Sequence, residues 1–398
     1  MTATSDKHMP LAARALLAAL HKLHSGELTL HLPDGTTRQY VGAAAGPKAE
    51  LTVKDWSLFS RMLRGGDMAF AEAYMDGLCD TPDLAALLTM AAANQDHIEA
   101  TLQASWWRRA LWRLLHLRRD NSRQGAKRNI SAHYDLGNEF YALWLDPGMT
   151  YSSALYDGDE QRSLEQAQNA KYARILDRLG VRQGDSILEI GCGWGGFAEM
   201  AAKRGARVKA ITISQRQHDH ATQRMVEADL AHAVDIDFRD YRDVEGRFDH
   251  IVSIEMIEAV GERYWPDYFA ALRRHLKPGG KALVQVITIA DKAFAQYRRG
   301  TDFIQRHVFP GGMLLSPAKI EEQAHRAGLQ LAHAYAFGKD YARTLAAWLE
   351  RFDAMRDRVR GMGFDERFMR MWRYYLAYCI AGFATGRTDV LQAELVHA

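Results

Sequence analysis

Residues 186–196 read SILEIGCGWGG, and this stretch decides how the rest of the chain is interpreted. The apolar segment Ser186–Ile190 predicts a buried β-strand, and Gly191, Gly193 and Gly196 form a G-x-G-x-x-G pattern in front of a predicted helix. Glycines at these positions let the backbone turn tightly and approach a ligand at the helix N-terminus. The pattern predicts a nucleotide-like cofactor, and by itself it suits nicotinamide, flavin and S-adenosylmethionine equally.

The segments that follow the glycine pattern favour S-adenosylmethionine. A dinucleotide site normally offers an acid about 20 residues on, at the end of the second strand, for the ribose hydroxyls. The second strand here ends ITISQ at residues 211–215, without a carboxylate. DYRD at residues 240–243 follows the third strand, where an adenine could be held, and LKPGG at residues 276–280 turns into the fifth strand. A nicotinamide or flavin oxidoreductase is therefore the less favoured interpretation.

Helical and apolar segments alternate over residues 166–290, which predicts an α/β domain with a Rossmann-like sheet. Strands are predicted at residues 185–190, 207–213, 234–238, 249–254 and 281–289.

A smaller α+β region precedes this domain. LTLHL and TRQYV flank the turn residues PDG at 33–35, which predicts a β-hairpin. Residues 55–95 have helical periodicity, interrupted at 65–66 and at Gly77. Residues 11–20 predict an amphipathic helix rather than a secretory signal, because a charged residue interrupts them and no clear cleavage site follows.

The composition is that of a soluble globular protein. The 398 residues are 47% apolar and 25% charged, which suits two or three domains. No apolar run approaches the ~18–20 residues of a membrane span. The three cysteines, Cys79, Cys192 and Cys379, are few and far apart, which argues against a disulfide framework or a zinc site. We therefore expect no metal and a reducing cytoplasm.

Positive charge is concentrated in one segment. Residues 105–128 contain eight Lys or Arg residues and a single acid, Asp120, a net charge of +7. On a helix over residues 102–119, Trp106 and Trp107 share a face with the leucines, and most of the arginines lie outside it. Such a helix suits the headgroup layer of an anionic bilayer, and equally a linker with a solvated basic face. We expect no nucleic-acid partner, because no recognised binding motif is present.

A series of motifs extends over residues 130–385. In chain order it reads HYDLGNEFY, MTYS, IGCGWGG, TIS-x-x-Q, DYRD, EMIEAVG, LKPGG, HVFPGG and FGKDYARTLAAWLERF. This series resembles the cyclopropane-fatty-acid synthase family, and the N-terminal region resembles the accessory domain of its longer bacterial members. The resemblance implies three parts: an accessory α+β domain over residues 1–100, a candidate for lipid binding; a basic Trp/Arg amphipathic linker over 101–130; and a Rossmann-like class I methyltransferase domain over 131–398.

The resemblance also implies an activity and a cofactor site. Family members transfer the methyl group of S-adenosylmethionine to the cis double bond of an acyl chain within a membrane phospholipid. Attack by the alkene leaves a carbocation, which must be shielded from water, held near π-electron faces and deprotonated. The cofactor-binding positions that the resemblance assigns here are Tyr151, Ser152, Glu189, Gly191, Gly193, Gly195, Thr212, Ser214, Gln217, Asp240, Tyr241 and Arg242.

In the family a bound bicarbonate ion acts as the base, held by a cysteine, a glutamate, a histidine, a backbone group and a tyrosine. The resemblance assigns these five positions, in that order, to Ser153, Glu258, Gln285, Ile287 and Tyr341. Serine and glutamine can still donate hydrogen bonds to an anion, but the proton-accepting histidine is absent. Ala259 also stands where the family often has a second histidine.

These departures leave the product open. Loss of a proton from the new methyl group closes a cyclopropane ring. Loss from a neighbouring chain carbon gives a methyl-branched alkene, and rearrangement gives a methylene branch. The altered base pocket favours a branched chain over a ring.

Two other classes remain as alternatives. A methyltransferase for a soluble amine or phosphobase would have the same cofactor half. A non-enzymatic lipid-binding protein would leave Glu258, Tyr341 and the glycine pattern without a purpose. The basic segment favours a cytoplasmic protein in peripheral contact with the inner membrane surface, and the resemblance suggests self-association as a homodimer.

Overall fold

The computed structural model describes residues 9–95 and 136–398. The predicted basic linker over residues 101–130 therefore lies outside the described residues. The chain divides into two compact units. The first combines the N-terminal residues with Phe352–Thr385, and the second combines the residues up to Arg351 with Gly386–Ala398. The sequence assigns residues 352–385 to the methyltransferase domain, whereas the structure groups them with the N-terminal unit. The boundaries of the functional domains stay predictions.

The strands, in chain order, are β1 (Ser25–His31), β2 (Thr37–Val41), β3 (Ala44–Val53), β4 (Cys79–Asp80), β5 (Ser186–Ile190), β6 (Arg207–Thr212), β7 (Val234–Phe238), β8 (Phe248–Ile254), β9 (Leu276–Ile289), β10 (Leu329–Ala336) and β11 (Thr388–His397).

The α-helices, in chain order, are α1 (Leu11–Leu20), α2 (Ser57–Met75), α3 (Leu84–Ala93), α4 (Asn138–Ala142), α5 (Leu164–Leu179), α6 (Gly196–Lys203), α7 (Gln215–Glu227), α8 (Trp265–His275), α9 (Asp291–Tyr297), α10 (Phe303–His307), α11 (Pro317–Arg326), α12 (Gly338–Ala354), α13 (Arg356–Gly361) and α14 (Glu366–Ala384).

The second unit is built on a seven-stranded sheet with the order β10-β11-β9-β8-β5-β6-β7. Strands β5 to β9 run parallel, and β11 runs antiparallel to both of its neighbours. The central strands are buried on both faces and therefore consist of nearly continuous apolar runs. This order confirms the predicted Rossmann-like fold and the five predicted strands, although β9 begins earlier than predicted, at Leu276.

The strand order reverses between β5 and β8, since β6 and β7 extend the sheet on one side of β5 and β8 and β9 on the other. In such sheets ligands bind beyond the carboxyl ends of the strands at this switch point. The loops after β5, β6, β7 and β8 carry Gly191, Ser214, Asp240 and Glu255. The topology thus brings segments that are far apart in sequence to one edge of the sheet.

The first unit contains a four-stranded sheet with the order β2-β1-β3-β4. The antiparallel pairing of β1 with β2 confirms the predicted hairpin. Helices α1, α2 and α3 confirm the predicted helical segments, and Gly66, with φ +61°, kinks α2. Helix α14 packs against α2 and α3. Over the described ranges, no helix combines the length and apolar character needed to cross a bilayer.

Candidate active site

The glycine loop joins β5 to α6 and has a backbone that only glycine adopts easily. Gly191, Gly193 and Gly195 have φ values of +84°, +52° and +86°. A Cβ atom on Gly191 would lie 2.8 Å from Cγ of Met256. The amide N–H of Gly191 also donates to the carbonyl of Ile211 at 3.0 Å, which holds the loop against β6. The loop is therefore a fixed backbone cradle at the start of a helix.

Two buried polar groups near this cradle have atoms without protein partners. Oε2 of Glu189, on β5 just before the loop, accepts no hydrogen bond from any described residue, and neither does the hydroxyl of Tyr241. Burial raises the pKa of Glu189 well above its ordinary value. Unsatisfied buried polar atoms are unusual in native structures, so these two atoms fit a polar ligand in the cradle. Both were predicted to contact the cofactor.

The remaining predicted cofactor residues shape the loops after β6 and β7. The hydroxyl of Thr212 donates to Oε1 of Gln217 at 2.9 Å, and the hydroxyl of Ser214 caps α7. Asp240 accepts from the guanidinium of Arg242 at 2.8 and 2.7 Å. These side chains fix the two loops that flank the glycine cradle.

Tyr151 belongs to a cluster of aromatic side chains. Its ring centroid lies 5.4 Å from that of Tyr141, and 5.5 Å from those of both Trp144 and Trp348. Trp348 in turn lies 6.1 Å from Tyr341. Such π-faces attract a nearby cation and exclude water. The cluster thus reaches from a predicted cofactor residue to a predicted base-site residue.

Ser152, beside Tyr151, anchors a buried lysine. Nζ of Lys171 donates to Oγ of Ser152 at 2.6 Å and to Oε1 of Gln168 at 2.7 Å. Burial lowers the pKa of Lys171 to about 7, and the carboxylate of Glu255 opposes that shift. The lysine is a cationic neighbour of the acids described next.

Glu255 lies where the predicted base-site residues converge. Its Oε1 accepts from the backbone N–H of Ser153 and from Nε2 of Gln285, both at 2.8 Å. Its Oε2 accepts from the hydroxyl of Tyr341 at 2.7 Å. The hydroxyl of Ser153 points elsewhere, to the carbonyl of Ala154 at 3.1 Å. Ser153 therefore contributes its backbone rather than its side chain.

Glu258 and Ile287, the other two predicted positions, contact each other. Oε1 of Glu258 accepts from the N–H of Ile287 at 2.5 Å, while its buried Oε2 has no partner among the described residues. Burial raises the pKa of Glu258 to about 8, and the nearby charge of Glu255 adds to the effect. At neutral pH this site holds a protonated Glu258 beside an acid that has three donors and a neighbouring lysine.

The amide of Gln285 is oriented by a chain of side chains. Arg174 donates to Oε1 of Gln392 at 2.6 Å, and Nε2 of Gln392 donates to Oε1 of Gln285 at 3.0 Å. Because a guanidinium can only donate, it fixes which end of each amide faces the next group. Gln285 must therefore present its N–H to Glu255.

Sequence reasoning missed Glu255, Lys171 and Gln392. For Glu255 a signal was present, because it directly follows the β8 segment in EMIEAVG, at the sheet edge where ligands bind. Lys171 and Gln392 have no local signal, since one lies on a helix and the other on the late strand β11. Within the described ranges, no group of three or more His, Cys, Asp or Glu residues is arranged to hold a metal ion.

Known proteins match this fold and site. Tuberculostearic acid methyltransferase of Mycobacterium tuberculosis is 40% identical to the chain, covering 97% of it and 92% of that protein. Cyclopropane-fatty-acyl-phospholipid synthase of Escherichia coli is 37% identical over 84% of each. A structure of mycolic acid cyclopropane synthase CmaA1 complexed with S-adenosylhomocysteine and CTAB matches with a TM-score of 0.63 and 28% identity, covering 68% of this chain and 97% of that one.

The parallel sheet, the glycine cradle and these matches define an S-adenosylmethionine-dependent methyltransferase. The model of the mycolic acid cyclopropane synthetase family matches residues 121–393. The chain belongs to that family, which confirms the resemblance predicted from its motifs.

Proposed function

We propose that this enzyme transfers the methyl group of S-adenosylmethionine to the cis double bond of an unsaturated acyl chain in a membrane phospholipid. The observation that carries the proposal is the arrangement of Tyr341, Trp348 and Tyr151 between a buried acid pair and the cofactor cradle. A carbocation needs π-faces, a dry pocket and a base, and this arrangement offers all three. The names of the two relatives, a fatty-acid methyltransferase and an acyl-phospholipid synthase, support the same substrate class.

The cofactor fits the residues that are present. When bound, S-adenosylmethionine supplies an electrophilic methyl group. The glycine loop would carry its charged end at the N-terminus of α6, with Glu189 and Tyr241 offering their unpartnered oxygens. The other predicted positions would hold the adjacent loops and the aromatic wall. These assignments predict that S-adenosylmethionine raises the melting temperature, because a ligand that binds only the folded state stabilises it.

The acceptor is tested by offering the enzyme several substrates with labelled cofactor. We expect label in the lipid fraction with vesicles of a cis-unsaturated phospholipid, and none with vesicles of its saturated counterpart. The rival function, methylation of a soluble amine or phosphobase, predicts label in the aqueous fraction without any need for vesicles. That result would contradict the lipid proposal.

The proposed product is a methyl- or methylene-branched chain rather than a cyclopropane. The altered base pocket supports this, as does the name of the relative that covers 97% of the chain, a methyltransferase rather than a cyclopropane synthase. Catalytic hydrogenation of the product distinguishes the outcomes. A branched alkene takes up hydrogen, whereas a ring-bearing chain that resists hydrogenation would contradict the proposal.

We further propose that residues 105–128, with a net charge of +7, hold the protein reversibly at an anionic membrane surface. Each Lys or Arg near such a surface contributes about 1 kcal/mol. Replacing Arg108, Arg109 and Arg113 together by Ser should weaken sedimentation with anionic vesicles, while replacing all three by Lys should preserve it. Unchanged sedimentation of the Ser variant would contradict this role. Sedimentation velocity tests the homodimer, with a dimer expected and a monomer contradicting it.

A further inference from the structure

We infer that the carboxylate of Glu255 is the general base of the reaction and takes the place of a bound bicarbonate ion. The inference rests on the proposed function, because it concerns the proton that must leave after methyl transfer. It follows from the hydrogen bonds of the five positions to which the resemblance assigned the ion.

Those five positions are already engaged within the protein. Ser153, Gln285 and Tyr341 all donate to the carboxylate of Glu255, at 2.8, 2.8 and 2.7 Å. The remaining two, Glu258 and Ile287, bond each other. A second anion would have to displace the Glu255 side chain and would lie against its negative charge. The residues present therefore do not fit a bicarbonate ion.

A carboxylate can do the same chemistry as the ion. Both present a planar pair of oxygens with one negative charge, and both can take a proton. An ionised carboxylate has about four lone-pair sites, and the three donors use three of them. One site remains, on Oε2 beside Tyr341, whose ring adjoins Trp348 in the aromatic cluster. This is where a cation held by the cluster would meet the base.

The surroundings keep Glu255 ionised and its neighbour neutral. Burial raises the pKa of Glu255, while the three donors and the charge of Lys171 lower it. Glu258 has one backbone donor and an unpartnered Oε2, so it is the acid that stays protonated. Two nearby carboxyls whose environments separate their protonation states are typical of an acid–base site.

The backbone of Glu255 is in a conformation that favours glycine. Its φ is +50°, which is uncommon for a residue with a side chain, and its N–H donates to the carbonyl of Gln285 at 2.8 Å. Backbone strain of this kind persists where the surrounding structure holds it, often at functional sites. It also means that Glu255→Gly removes the carboxylate while relieving strain, and leaves its three donors facing an empty space.

The proposed step balances as follows. The π electrons of the alkene form the bond to the incoming methyl carbon, and the electrons of the broken carbon–sulfur bond stay on sulfur. Glu255 Oε2 then takes a proton from the methyl group or from a chain carbon next to the cation. The electron pair of that C–H bond forms the new ring bond or double bond. The carboxyl group afterwards releases the proton to solvent.

The test compares wild type, Glu255→Gly and Glu255→Gln in buffer freed of carbon dioxide, with and without added bicarbonate. The wild-type rate of methyl transfer should not depend on bicarbonate. Both variants should lose at least ~100-fold in rate, in the range of general-base catalysis. Bicarbonate should restore at least ~10-fold in Glu255→Gly, where the ion can enter, and nothing in Glu255→Gln, whose amide keeps the site filled but is not basic.

A binding measurement separates this inference from the proposed function. Line broadening of carbon-13 bicarbonate should occur with Glu255→Gly and not with wild type or Glu255→Gln, whatever the acceptor is. Unchanged affinity for S-adenosylmethionine shows that the variants are folded. The inference is overturned if wild type binds or requires bicarbonate, or if either variant keeps the wild-type rate without it. A wild type that methylates no lipid, yet shows the expected bicarbonate binding, refutes the proposed function instead.

Discussion

At the residue scale, two glutamates three positions apart have different environments. Glu255 has three hydrogen-bond donors, whereas Glu258 has one and a buried oxygen without a described partner. The pKa of Glu258 is raised to about 8, mainly by burial. Its ordinary value in an unfolded chain is about 4.3. This difference makes stability depend on pH.

The sign of the dependence can be predicted. Between about pH 4.3 and pH 8 the folded protein holds the Glu258 proton and the unfolded chain does not, so stability falls as the pH rises. Glu258→Gln keeps an acceptor for the N–H of Ile287 and removes this term. We expect its melting temperature to exceed that of wild type by a margin that grows from about pH 5 to about pH 8. A margin independent of pH would contradict the assignment.

A second prediction concerns Gln392, which orients Gln285 without being near the cofactor cradle in sequence. Gln392→Met removes the donor to Gln285 and should lower kcat by about tenfold, because a free amide can turn its oxygen toward Glu255 and repel it. The affinity for S-adenosylmethionine should be unchanged. Gln330→Met, at an exposed position of β10, is the control. A change in affinity without a change in kcat would contradict the relay.

The sequence predicted the five base-site positions but not the group on which three of them converge. Ser153, Gln285 and Tyr341 could be assigned by resemblance, motif by motif. Glu255 could not, because its role depends on a left-handed turn after β8 and on donors from three distant segments. Nothing local distinguishes the two acids of EMIEAVG.

At the element scale, the strand–loop–helix unit from β5 to α6 was fully predictable. Its strand is apolar, its loop is glycine-rich and its helix begins at the end of the loop. The pairing of β11 between β9 and β10 was not predictable, because antiparallel return strands give no periodic signal that specifies their place in a sheet. Gln392 enters the site only through that pairing, opposite Gln285.

The glycine loop gives the prediction at this scale. Gly191→Ala should reduce affinity for S-adenosylmethionine by at least tenfold, because its Cβ would lie 2.8 Å from Met256 and the loop must shift. Gly180→Ala is a matched control: it also has a positive φ, +71°, at the end of α5, but its Cβ would meet no atom within 4 Å. The control should lose some stability and keep its affinity. Equal effects of both variants on calorimetric binding would argue against the cradle.

At the scale of the whole molecule, residues from both ends of the chain form the first unit. Arg370 of α14 donates to the carbonyls of Tyr74 and Cys79 at 2.5 and 2.6 Å, and its guanidinium lies 4.1 Å from the Tyr74 ring centroid. The bonded residues are separated by more than 290 positions in sequence. Motif reasoning placed this helix with the methyltransferase domain because contacts over such separations have no local signature.

Arg370→Leu should therefore lower the free energy of unfolding by about 2–4 kcal/mol, because buried hydrogen bonds from a charged group are lost. Arg367→Leu, on the same helix, removes only the exposed ion pair with Asp76 and should cost less than about 1 kcal/mol. Denaturant unfolding measures both. Similar stabilities of the two variants would contradict the anchoring role of Arg370.

The central claim is methyl transfer from S-adenosylmethionine to an acyl double bond. Its most direct test is mass spectrometry of the acyl chains after incubation of the enzyme with unsaturated phospholipid vesicles and trideuteromethyl-labelled cofactor. The account predicts that each product chain gains one carbon from the cofactor and loses one hydrogen or deuterium to the base. Retention of all three deuterium atoms would mark loss from a chain carbon, and retention of two would mark loss from the methyl group. Acyl chains of unchanged mass, with the label on a soluble acceptor or a headgroup, would contradict the claim.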